Sequence, residues 1–107
     1  MNQVNRRKLQ RAGFKLGSVQ DFLGLSNEEM ALIDLKVHLV EILKSARKSN
    51  RITQQGLARL IASSQSRVAK MEAGASDVSL DLICRALFSL GISRQALGRM
   101  IASKPAA

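Results

Sequence analysis

At 107 residues, 46% of them hydrophobic, the chain fits one domain with a sizeable core and little room for a second. Only three residues are aromatic, all Phe, so the core must be aliphatic. Its 17 Lys and Arg against 8 Asp and Glu give a net charge of +9, which attracts polyanions, yet no apolar run approaches the ~20 residues of a bilayer span.

In chain order, residues 1–17 are the most basic stretch, with Arg6, Arg7, Lys8, Arg11 and Lys15 and no acid. Val4–Ala12 reads either as a helix ended by Gly13 or as a flexible arm that lies on a polyanion or is simply solvated. Ala12–Gly17 is too short and too polar for a signal-peptide core, so a cytoplasmic protein is expected. Ser18–Leu23 predicts a short helix capped by Ser18, with Val19, Phe22 and Leu23 on its apolar side. Ser26 and Glu29 form a capping box. A long helix follows, from about Asn27 to Lys48, with a buried stripe of Leu32, Leu35, Leu39, Ile42 or Leu43, and Ala46. Acids gather at its start and bases at its end, as the helix dipole favours.

The next helix spans Thr53–Ala62, capped by Thr53, with Leu57, Ala58, Leu60 and Ile61 inward. Ser64 caps Gln65–Ala73, with Val68, Ala69 and Met71 inward and Gly74 as its stop. Ser79 caps Leu80–Leu90, stopped by Gly91, and Ser93 caps a last helix, Arg94–Ala102. On that helix Leu97, Met100 and Ile101 share one side, which closes the core or, the slightly favoured reading, forms a dimer seam. The hydrophobic spacing is helical throughout, so an all-α fold is expected.

The segment TQQGLARLIASSQSRVAKMEAG joins two helices of about nine residues by a short turn. That is the build of a helix-turn-helix, whose second helix enters the major groove. Leu57, Ala58, Val68 and Met71 would lock the pair together, Ala58 being small where the helices cross. The exposed side of the second helix carries Gln65, Ser66, Arg67 and Lys70, all donors. Arg and Lys suit guanine edges, and Gln suits adenine. Ala62 holds the turn position where glycine is usual, which is tolerable if its backbone is not strongly left-handed.

These residues resemble the lambda-repressor-like, Cro-type helix-turn-helix family, also called the XRE family. Its pattern appears here as Thr53-Gln54, Leu57-Ala58, Ser64, Val68 and Glu72-Ala73-Gly74, without insertion or deletion. Val78–Ile92 resembles the family's following helix and its Leu-Gly ending, and the likeness covers about Leu35–Ala102. It implies a compact five-helix domain with an N-terminal helical extension. Residues 1–25 would be the basic extension, 26–103 the DNA-binding domain with its motif at 53–74, and 104–107 a frayed tail. It further implies that Gln65, Ser66 and Lys70 read bases, that Arg67 reaches a base or a phosphate, and that Gln54 binds a phosphate or braces the second helix. Ser64 belongs to the same interface, since backbone donors at the two helix starts would hold phosphates. Glu72 would pair with a basic residue, Arg47 or Arg59.

The leader GFKLGSVQDFLGLSNEEMALIDLK, together with SSQSRVAKMEAG, resembles a subgroup of HigA-type antitoxins. That likeness implies a homodimeric repressor of its own operon that also binds a RelE-like ribonuclease toxin. A free-standing regulator is the alternative. An RNA binder fits the charge but not the motif, and the stacking platforms of Tyr and Trp are missing. No nucleophile–base pair, phosphate loop or metal cluster argues for an enzyme, a cofactor or a metal. His38 lacks companion ligands, and Cys84 reads as a buried structural thiol. Asp77 and Asp81 flank a helix start, where the dipole favours acids.

Overall fold

The computed structural model describes residues 16–75 and 77–103, with side chains from residue 20 onward. The expected helix over Val4–Ala12 and the frayed tail at 104–107 lie outside the described residues. Among those described there are six helices and no strand: α1 Leu16–Leu23, α2 Asn27–Ser49, α3 Gln54–Leu60, α4 Gln65–Glu72, α5 Leu80–Ser89 and α6 Arg94–Ala102. The fold is all-α, as expected.

Five of the helices begin with one local device. The hydroxyls of Ser26, Thr53, Ser64, Ser79 and Ser93 each accept the backbone N–H three residues on, at 2.9–3.1 Å. Ser26 adds the reciprocal bond, its N–H donating to Glu29 Oε1 at 3.2 Å. Each such cap contributes about 1 kcal/mol. Ser18 was expected as a further cap. It lies inside α1, which starts two residues earlier at Leu16.

The helix ends share a device too. After α3, Ser63 N–H donates to Ala58 O at 2.8 Å and Ala62 N–H to Arg59 O at 3.3 Å. The same crossed pair closes α1, α2, α4 and α5. This Schellman closure places the residue after the cap in the left-handed region. Glycine fills that place at Gly24, Gly74 and Gly91, but Arg51 (φ 56°) and Ala62 (φ 52°) fill it after α2 and α3. Ala62 is thus strongly left-handed, against the condition set for it above. Its Cβ crowds the following carbonyl at a cost of roughly 1–2 kcal/mol. The two bonds of the closure hold it there.

The core joins Leu39, Val40 and Leu43 of α2, Leu57 and Ala58 of α3 with Ile61 just after it, Val68 and Met71 of α4, four residues of α5, and Leu97 of α6. The predicted stripe of α2 holds from Leu35 onward. Leu39 and Leu43 are buried and Leu35, Ile42 and Ala46 half-buried, but Leu32, nearer the start of α2, is 49% exposed. Leu60, expected inward, is 54% exposed. At 3.6 residues per turn it lies roughly 110° from the centre of the arc made by Leu57, Ile61 and Ala58. On α6, Leu97 closes the core, Met100 is half-buried and Ile101 faces solvent. Cys84 is only half-buried; burial and the Asp81 charge push its thiol pKa up, which favours the inert protonated form.

Candidate nucleic-acid interface

Helices α3 and α4 pack closely on each other, and both rest on α2 or α5. Leu57, Val68 and Met71 are fully buried between them and the core, and Ala58 is nearly so. Four of the remaining side chains of α4 face outward: Gln65, Ser66, Arg67 and Lys70 are all exposed. Ser66 and Lys70 share the side of α4 opposite the buried Val68 and Met71, while Gln65 and Arg67 lie in its first turn and flank that side. Ser64 is also exposed, its hydroxyl engaged as the cap of α4. Beside this face runs an open groove of about 260 Å³, lined by Ser64, Ser66, Arg67, Lys70, Asp77 and Val78.

Behind the face, a charged network fixes α4 to the rest of the domain. Glu72 is buried at the end of α4. Arg47 of α2 grips its carboxylate with two nitrogens: Nε donates to Oε2, and Nη2 donates to Oε1 at 2.8 Å. Arg47 Nη1 also donates to the carbonyl of Ile52 at 2.9 Å, which ties in the loop before α3. Gln54 Nε2 donates to Glu72 Oε1 at 3.2 Å, so its half-buried side chain braces α4 from α3. Burial alone would raise the Glu72 pKa. The hydrogen bonds from Arg47 and Gln54, with the charges of Arg47 and Lys44, outweigh it and hold the carboxyl below its ordinary value. The Glu72 hydrogen bond in turn holds the Arg47 guanidinium more firmly protonated, against its own burial. No buried side-chain nitrogen or oxygen lacks a partner among the described residues.

Of the two partners left open for Glu72, the structure selects Arg47; Arg59 is exposed on the far side of α3. Helical phase held the signal. Arg59 directly follows the inward Ala58 and stands two residues beyond Leu57, which turns it roughly 100° and 200° away from them. Asp77 was legible only as an acid near a helix start. The structure also places it on the groove beside Arg67 and Lys70.

Charge is divided along the chain. Residues 16–35 carry Asp21, Glu28, Glu29 and Asp34 and no Lys or Arg, so all 17 bases lie elsewhere. In this acidic stretch Phe22 is 81%, Leu32 49% and Leu23 47% exposed. No described helix is long and apolar enough to cross a membrane.

Residues 43–87, from the last two turns of α2 to the last turn of α5, match a helix-turn-helix family model. The match supports an XRE-type helix-turn-helix regulator that binds DNA. Neither a curated protein nor a solved structure matches the chain.

Proposed function

We propose that the chain is a sequence-specific repressor that reads operator DNA in the major groove through Gln65, Ser66, Arg67 and Lys70. The observation that carries this reading is the two-sided build of α4. Its inner side is locked by Val68, Met71 and the Glu72 network, while every exposed side chain named on its outer side can donate and none is acidic. Gln65 is suited to adenine, and Arg67 and Lys70 to guanine. The Ser64 cap leaves the first backbone N–H groups of α4 directed at a phosphate. Gln54 acts through α4, which it braces. The repressor works as a homodimer on two half-sites about 34 Å apart, with the solvent-facing Ile101 of α6 in the seam between copies, and its own promoter is the expected target.

The test is duplex selection followed by titration. Lys70→Ala and Gln65→Ala each weaken the selected operator by about 1–3 kcal/mol and relax the preference at one base pair. Binding to unrelated duplex changes far less. Equal affinity for every duplex, unaltered by both substitutions, refutes sequence reading.

A second reading, that the repressor is also an antitoxin, is favoured by the acidic stretch. Exposed Phe22, Leu23 and Leu32 set among four acids fit a basic, RelE-like toxin better than they fit DNA. Co-purification with the product of an adjacent reading frame, weakened by Phe22→Ala, supports it. If the neighbouring frames encode no such protein, a free-standing regulator remains.

A further inference from the structure

The segment from Lys44 to Ser103 holds three acids: Glu72, Asp77 and Asp81. Glu72 is buried in its ion pair, and Asp81 sits in the first turn of α5. Asp77 alone of the three lines the groove beside α4, among Ser64, Ser66, Arg67 and Lys70. It is exposed, and neither Arg67 nor Lys70 forms an ion pair with it. The loop is pinned at this point, since Val78 next to it is 5% exposed and its N–H donates to Ala75 O at 3.3 Å. On a face built to meet a polyanion, a carboxylate repels every phosphate. A duplex offers it few partners. In the major groove the only donors are the amino groups of cytosine N4 and adenine N6. Gln65, Ser66, Arg67 and Lys70 all donate, and none of them is a pure acceptor.

We propose that Asp77 is a specificity-determining residue of the DNA interface. Its carboxylate accepts an amino proton from a cytosine or adenine beside the base pairs met by Arg67 and Lys70. The proposal rests on the reading of the chain as an operator-binding protein. It adds a pure acceptor beside α4, where Gln65 accepts only next to its own donor, and it makes the same side chain lower non-specific binding.

The full-length protein first selects its site from a duplex library with a randomised core. Every position of that site is then substituted in turn, and equilibrium competition compares the wild type with Asp77→Ala and Asp77→Asn. The wild type prefers cytosine or adenine at one position. Asp77→Ala lowers that preference by on the order of tenfold, leaves the other positions as they were, and binds unrelated duplex more tightly at low salt. Asp77→Asn keeps a carbonyl acceptor and recovers part of the preference. Two results overturn the proposal. One is an equal gain in affinity for every duplex with all preferences intact, which reduces Asp77 to simple repulsion. The other is a lowered unfolding midpoint with all preferences intact, which makes it a helix-start acid only. A wild type that selects no sequence refutes operator reading itself, and the assignment of Asp77 falls with it.

Discussion

Glu72→Ala is expected to cost about 3–5 kcal/mol, the loss typical when one member of a buried ion pair is removed. Against a typical domain stability of about 5–15 kcal/mol, that is a large fraction. The Arg47 guanidinium would keep its bond to the Ile52 carbonyl but lose both donations to the carboxylate, in a site where its side chain is 12% exposed. Gln54 would lose its acceptor as well. Urea unfolding followed by circular dichroism measures the loss. The double substitution Arg47→Met with Glu72→Met should cost much less than the two single changes added together, because it leaves no unpaired buried charge. Full additivity would show that the two residues do not act as a pair.

The same pair sets the response to acid. The Glu72 carboxyl has a lower pKa folded than unfolded, despite its burial, because Arg47 and Gln54 hydrogen-bond to the ionised form. The unfolded chain therefore binds the proton more readily. The stabilisation is fully present above the unfolded carboxyl pKa, about 4.3, and is lost as pH falls through the lower folded value. Glu72→Gln removes this acid-dependent part. Its unfolding midpoint is lower at neutral pH, and the gap from the wild type narrows on acidification below about pH 4. A gap that stays constant over that range would place the titration elsewhere.

Helix starts were legible because five of the six described helices are specified by one hydroxyl and one N–H three residues on, a signal contained in four letters of sequence. Helix ends were legible where glycine occupies the left-handed position, as at Gly74 and Gly91. At Ala62 the hydrogen-bond closure imposes the same backbone on a residue that resists it, and composition carries no trace of that. Leu57, Ala58, Ile61, Val68 and Met71 were legible as inner residues from their spacing, while Leu60, read the same way, is 54% exposed. What spacing does not tell is how far the packed body extends. Leu32 continues the stripe of Leu35 and Leu39 without a break, yet Leu39 is buried, Leu35 half-buried and Leu32 49% exposed. Phe22 reads as an apolar anchor and is 81% exposed. The amphipathic pattern marks a face to be covered. Whether the same domain covers it depends on tertiary placement.

Met71→Ala is expected to cost about 2–5 kcal/mol, since the side chain is fully buried and its removal leaves a cavity. The effect on operator binding should exceed what the unfolded fraction alone explains. Helix α4 has eight residues, too few to be stable by itself. Its helical state depends on what Val68, Met71 and Glu72 touch. With Met71 shortened, α4 is ordered partly at the expense of DNA binding energy, so affinity falls at temperatures where the domain is still folded. Lys70 stands one residue earlier on the exposed side. Lys70→Ala should leave the unfolding midpoint within about 0.5 kcal/mol of the wild type, as surface changes usually do, while still weakening the operator. Adjacent residues thus separate the two tasks of one helix. Position 71 governs whether the reading face exists, and position 70 governs what it reads. A Lys70→Ala variant as unstable as Met71→Ala would mean that the outward face of α4 has been misassigned, and operator reading through it would have to be abandoned.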